Sequence, residues 1–177
     1  MSTLRLQGQT IGYLVGAEVE DLEYWVPLMR LREEGAAVIS IGLNTEPLRG
    51  KHGLEITPEV GIADAPSADE LHGLVIPGGW APDKLRRDQR VLQLVREMDA
   101  RNKIIGIICH GGWVPISAGI MRGRKATGST GIKDDITNAG GIWVDTPAFR
   151  EGNLVWGRVV ADIPDFCREL VAALAGS

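Results

Sequence analysis

A thiol and an imidazole stand side by side in this 177-residue chain. Cys109 and His110 follow the β-branched run of residues 104–108 and precede Gly111, Gly112 and Trp113, in the stretch IIGIICHGGW. The run reads as a buried strand, and the glycine pair permits a sharp turn into a following helix. A residue on such an elbow is pushed out of the sheet with helix N–H groups aimed at its side chain, the geometry known from G-x-S-x-G sequences. The chemistry on offer is nucleophilic attack by sulfur.

An ordinary thiol ionises near ~8.5. Bringing that value to about 6 takes roughly 3–4 kcal/mol of preferential stabilisation of the anion, and a helix terminus supplies only about 0.3–2 kcal/mol. Two groups are available for the rest. His110 can act as an imidazolium if the elbow turns its ring back toward the sulfur. Alternatively, a carboxyl from the first strand–helix loop, Glu20, can donate a hydrogen bond to the thiolate as a protonated acid. Burial and the neighbouring charges of Glu18 and Glu23 are expected to keep it protonated.

The elements that must position these groups alternate between short apolar strands and helices. Residues 10–16 and 36–42 read as strands, as do residues 73–79, which end in a glycine pair, and residues 103–109. Between the first two, Leu22, Trp25, Val26 and Met29 recur at helical spacing, with Pro27 expected to kink the helix or mark its first turn. Residues 50–53, GKHG, read as a tight turn with short flanking strands. Leu85, Val91, Leu92, Val95 and Met98 mark another helix, and residues 111–121 the next. A helical IKDDITNAGG, a hairpin over residues 142–157 and a closing helix over residues 164–174 complete the chain.

Such alternation implies a parallel sheet covered on both faces, with sites outside the carboxyl ends of its strands. That rule selects the segment after Gly16, the loop after Pro77 with Gly78 and Gly79, and Cys109–His110.

Composition narrows the classes. A chain with 44% hydrophobic and 24% charged residues is a globular protein with one core, expected to be a single domain over residues 1–177 with residues 1–8 a loose extension. A net charge of −4, with no basic run longer than RGRK, speaks against nucleic-acid binding. No apolar run approaches a membrane span, so the expected location is cytoplasmic. Two cysteines and three scattered histidines offer neither a disulfide framework nor a metal site, and no cofactor is expected. Cys167 reads as a core thiol in the closing helix, His52 as surface structure, and Asp134 and Asp135 as decoration of a helix face.

Taken together and in order, VEDLEYWVPLMRLREEG, GKHG, LVIPGGWAPDKLR, ICHGGWVPISAGIMRGRKATG, IKDDITNAGG and IPDFCREL resemble the ThiJ/PfpI superfamily, in its branch of intracellular proteases and general stress proteins. The resemblance implies a flavodoxin-like doubly wound, mostly parallel α/β sheet of the class I glutamine amidotransferase type. It makes Cys109 the nucleophile and Glu20 the protonated acid on its sulfur, with the backbone N–H groups of Gly79 and His110 as the oxyanion hole. It also implies a homodimer or higher homo-oligomer, in which Asp83 of an adjacent subunit completes a Cys–His–acid triad. Gly78, Trp113, Glu18 and Arg158 are placed around the pocket. The family's usual CHGPQ is CHGGW here, and its TSR is WGR with Arg158 kept. Both changes narrow the site and point away from long peptides.

Three functions compete on these grounds. The first is hydrolase chemistry on carbonyl substrates: small aldehydes, glycated proteins or peptides. The second is a cysteine-based redox sensor, and the third a non-catalytic, chaperone-like stress protein.

Overall fold

The computed structural model describes residues 4–176. Its strands are β1 (Thr10–Leu14), β2 (Ala37–Gly42), β3 (Leu48–Arg49), β4 (Glu55–Ile56), β5 (Val60–Gly61), β6 (Gly73–Ile76), β7 (Ile104–Ile108), β8 (Lys125–Ala126), β9 (Ile142–Trp143), β10 (Ala148–Glu151) and β11 (Leu154–Gly157). Its helices are α1 (Asp21–Glu33), α2 (Ala81–Leu85), α3 (Gln89–Ala100), α4 (Trp113–Ala118), α5 (Lys133–Asn138) and α6 (Ile163–Leu174).

A seven-stranded sheet runs β10-β11-β7-β6-β1-β2-β5. Every pairing in it is parallel except β10 with β11 at one edge. This is the doubly wound, flavodoxin-like α/β architecture that the strand–helix alternation implies. The central strands are buried along their whole length because helices cover both faces, α1 packing with α6 and α3 with α4.

The details correct several expectations. Residues 4–8 are not loose: Leu6 is fully buried and its N–H donates to the Glu34 carbonyl, while residues 1–3 lie outside the described residues. The tail hairpin is β10 with β11 alone, since β9 pairs with β8 instead. The segment after Gly79 forms two helices, α2 and α3, divided where the Asp88 side chain caps α3.

In α1 the stripe of Leu22, Val26 and Met29 faces outward, and the buried face carries Glu23, Tyr24, Pro27, Leu28 and Leu31. Pro27 sits mid-helix without ending it. A proline has no N–H to give to the carbonyl four residues back. That carbonyl belongs to Glu23, and it accepts a hydrogen bond of 2.6 Å from the Tyr13 hydroxyl of β1 instead. The turn of α1 that carries Glu23 is thereby tied to the central sheet.

Candidate active site

Cys109 directly follows β7 with φ +59, a left-handed conformation that costs a non-glycine residue roughly 1–2 kcal/mol. It opens a 3₁₀ turn, Cys109–Gly112, that leads into α4. The strained elbow aims the sulfur out of the sheet and brings the next side chain back to it. His110 Nδ1 lies 3.3 Å from Cys109 Sγ. The backbone N–H groups of His110 and Gly79 also hydrogen-bond the sulfur. Gly79 holds φ +75 and forms a bridge with Val19, so the loop after β6 is locked against the start of α1.

The acid at the sulfur is Glu23, in place of the expected Glu20. Glu23 is fully buried; its Oε2 accepts the Gly78 N–H at 2.8 Å, and its carboxyl interacts with the Cys109 thiol. Its Oε1 is buried without a hydrogen-bond partner of ordinary geometry. Gly78 must be glycine here, because a Cβ would come within 2.5 Å of Glu23 Oε2 and 2.8 Å of Cys109 Cβ.

Glu20 is the residue before α1, and its carboxylate turns the other way, to His52 Nε2 at 3.2 Å and Lys51 Nζ at 3.5 Å. The turn bearing that pair is fastened by Asp21, whose carboxylate accepts the N–H groups of His52 at 2.7 Å and Leu54 at 2.9 Å. His52, read from the sequence as surface structure, is exposed yet tied to the site through Glu20.

The electrostatics also differ from expectation. Burial, opposed by the Gly78 and Cys109 hydrogen bonds, raises the Glu23 carboxyl to about 7. Burial and the Glu23 charge push the Cys109 thiol up to about 12, against the pull of the His110 and Gly79 N–H groups. The two groups share one buried space, so they titrate as a pair: one proton leaves near 7 and the second only once a negative charge is already present. The depressed thiol expected from a helix terminus is absent, because α4 has only six residues and begins beyond the 3₁₀ turn. Burial lowers His110, with Lys51 adding to the effect, so its ring is a neutral proton acceptor.

A pocket of about 300 Å³ opens on the sulfur, lined by Glu20, Glu23, Lys51, Gly79, Trp80, Cys109, His110, Ser129 and residues 159–161. Of the residues expected around it, Trp113 stands behind His110, its ring 5.0 Å from the imidazole and its indole N–H donating to Asp135 at 2.9 Å. Glu18 points out to Lys84 at 2.9 Å. Arg158 pairs with Asp145 and Asp162 and so braces residues 159–161 rather than lining the cavity. Asp83, on α2, pairs with Arg87 at 3.1 Å within its own chain. Lys51, Trp80 and Ser129 escaped the sequence reading; Trp80 was signalled by its place beside Gly79. A larger groove of about 440 Å³, between residues 62–67 and α3, is lined by no cysteine or histidine. Among the described residues no group of side chains is arranged to hold a metal ion, and no helix is long and apolar enough to cross a membrane.

A cysteine at a strand-to-helix elbow of a flavodoxin-like sheet, with histidine and carboxyl at the sulfur, defines the class of α/β protein to which the chain belongs. The chain belongs to the DJ-1/PfpI family, whose model matches residues 9–173. It is similar to a deglycase of Pyrococcus horikoshii, 40% identical over 162 residues that cover 92% of this chain and 97% of the relative. General stress protein 18 of Bacillus subtilis is 37% identical over 170 residues, 94% of this chain and 98% of that one. Among solved structures, a two-domain protein of Anabaena variabilis with DJ-1/ThiJ/PfpI-like and ferritin-like domains superposes with a TM-score of 0.91 at 33% identity. That match covers 94% of this chain and 48% of the Anabaena protein.

Proposed function

We propose that the chain is a cysteine-dependent hydrolase of small carbonyl compounds and of their adducts with amines. The observation that carries this reading is the strained Cys109, held 3.3 Å from a neutral imidazole, with two N–H donors and a buried carboxyl poised near neutrality at its sulfur. A general base works best when its pKa lies near the operating pH, and Glu23 meets that condition.

With methylglyoxal, sulfur adds to the aldehyde carbon while the thiol proton passes to Glu23. The new oxyanion is held by the N–H groups of Gly79 and His110 and then takes a proton, which gives a hemithioacetal. The hydrogen on that carbon leaves as a proton to His110 and is returned to the neighbouring carbon through an enediol. The first carbon is oxidised and the second reduced, so no outside oxidant is needed. Water cleaves the resulting thioester, releasing lactate and restoring the thiol. With an amine adduct, sulfur displaces the amine: the C–N bond breaks, the amine departs with the thiol proton, and the same hemithioacetal follows. No attack requires a free thiolate in the resting protein, which reconciles the mechanism with a thiol raised by burial.

The name of the Pyrococcus relative supports this reading, and a pocket of about 300 Å³ suits a small carbonyl better than an extended peptide. The raised thiol weighs against the redox-sensor alternative, since peroxide attacks thiolates. Asp83 enters the proposal as the acid that a second copy of the chain offers to His110, its own-chain partner being the exposed Arg87. Following lactate by proton NMR in methylglyoxal tests the whole: turnover by the wild type and its loss in Cys109→Ala are expected. A silent wild type, or equal turnover by Cys109→Ala, refutes it.

A further inference from the structure

The indole at the pocket belongs to Trp80, and its surroundings say what it would hold. Trp80 lines the cavity beside Cys109, with its ring 5.5 Å from the His110 imidazole and inclined to it by 48°. Trp80 is 48% exposed, a large apolar residue left in water at the opening of the pocket. The backbone under it is rigid: the Trp80 N–H donates to the Glu18 carbonyl at 2.8 Å, and Gly79 bridges to Val19. On the far side of His110, Trp113 is anchored by Asp135 and covered by the Arg86 guanidinium at 5.6 Å, so the imidazole stands between two indole rings. The remaining apolar lining comes from Val159, Val160 and Ala161, which Arg158 braces through Asp145 and Asp162. Glu23 and His110 gather at the sulfur, Glu20, Lys51 and Ser129 add polar lining, and an indole with a short aliphatic segment supplies the apolar part of the wall.

We infer that Trp80 and residues 159–161 form an aryl subsite, which selects carbonyl substrates bearing a flat aromatic ring next to the reacting carbon over those bearing a methyl group. The inference rests on the reading of Cys109 as a carbonyl-attacking nucleophile. An indole face binds a second ring in offset or tilted stacking beyond the area it buries, which translates into a preference of roughly three- to tenfold. One ring and a two-carbon carbonyl unit suit a pocket at the small end of ligand cavities.

Two measurements decide it, on wild type, Trp80→Phe, Trp80→Leu and Trp80→Ala. The first is the ratio of kcat/KM for phenylglyoxal to that for methylglyoxal. The second is calorimetric binding of the corresponding products, mandelate and lactate, which needs no turnover. The wild type is expected to prefer the aryl member in both. Trp80→Ala should lower both ratios by about three- to tenfold, while Trp80→Phe retains most of the preference. Trp80→Leu keeps apolar bulk without a π face and should behave like Trp80→Ala, which settles the matter if the alanine variant does not fold. Unchanged ratios in Trp80→Leu, or a wild type that binds mandelate no better than lactate, overturn the subsite. If the wild type turns over neither aldehyde but binds mandelate preferentially through Trp80, the proposed reaction fails and the subsite stands.

Discussion

Replacing Glu23 with glutamine should make the protein more stable, and by an amount that depends on pH. The carboxyl rises from an ordinary 4.5 to about 7 on folding, chiefly because it is buried. Between those two values the native state holds more protons than the unfolded chain, so stability falls as pH rises through that window. Below about 4.5 both states are protonated and there is no penalty; above about 7 the full penalty applies, roughly 3 kcal/mol. Glutamine keeps the shape, can accept the Gly78 N–H and never ionises. The stability difference between Glu23→Gln and wild type should therefore be smallest near pH 4.5 and grow to roughly 3 kcal/mol in favour of the variant by pH 8. Cys109 leaves this window clear, since its rise to about 12 affects linkage only above the ordinary thiol range. Urea unfolding followed by circular dichroism at half-unit steps from pH 4.5 to 8.5 gives the difference curve. A flat curve, or one in which the wild type gains on the variant as pH rises, would refute the assignment of a buried, reluctantly ionised acid at this position.

The same pair predicts how the thiol itself behaves. Iodoacetamide labelling of Cys109 should still be accelerating at pH 10, where an ordinary thiol of pKa ~8.5 has levelled off, and the curve should level earlier in Glu23→Gln because a repelling charge has gone. A wild-type plateau at pH 9 would contradict this. Removing the Tyr13 hydroxyl strands the buried Glu23 carbonyl, so Tyr13→Phe should cost about 1–3 kcal/mol. Most of that loss should vanish in a Pro27→Ala background, where the helix regains the N–H that carbonyl lacks; additive losses in the double-mutant cycle would rule out the exchange.

The strand–helix alternation, the strand-end location of the site and the cysteine elbow were legible in the sequence, because each rests on a short-range pattern; the strand order was not, since it is set by contacts between segments far apart in the chain. A β-branched run that halts at Cys109 before two glycines allows few local conformations. The acid was not legible, and the reason lies in α1. That helix carries two apolar stripes: Leu22, Val26 and Met29 on one side, and Tyr24, Pro27, Leu28 and Leu31 on the other. Periodicity detects both and cannot say which one faces the core. The first strand–helix loop and the family resemblance both point to Glu20, and the first stripe gives no reason to turn Glu23 inward. The second puts Glu23 on the buried face, four residues before Pro27, with the side chain of Glu20 outside the helix and free to meet Lys51 and His52. Pro27 held the clue. A proline in mid-helix needs a foreign donor for the carbonyl four residues back, and a buried hydroxyl such as that of Tyr13 can supply one only on the side that faces the sheet. The proline therefore identifies the core-facing stripe, and the core-facing stripe identifies the acid. The outward Trp113 has a parallel cause: its indole N–H must find a polar partner, and Asp135, on a helix distant in sequence, provides it away from the pocket. Trp80, with its backbone locked by Glu18, is left as the aromatic face at the pocket.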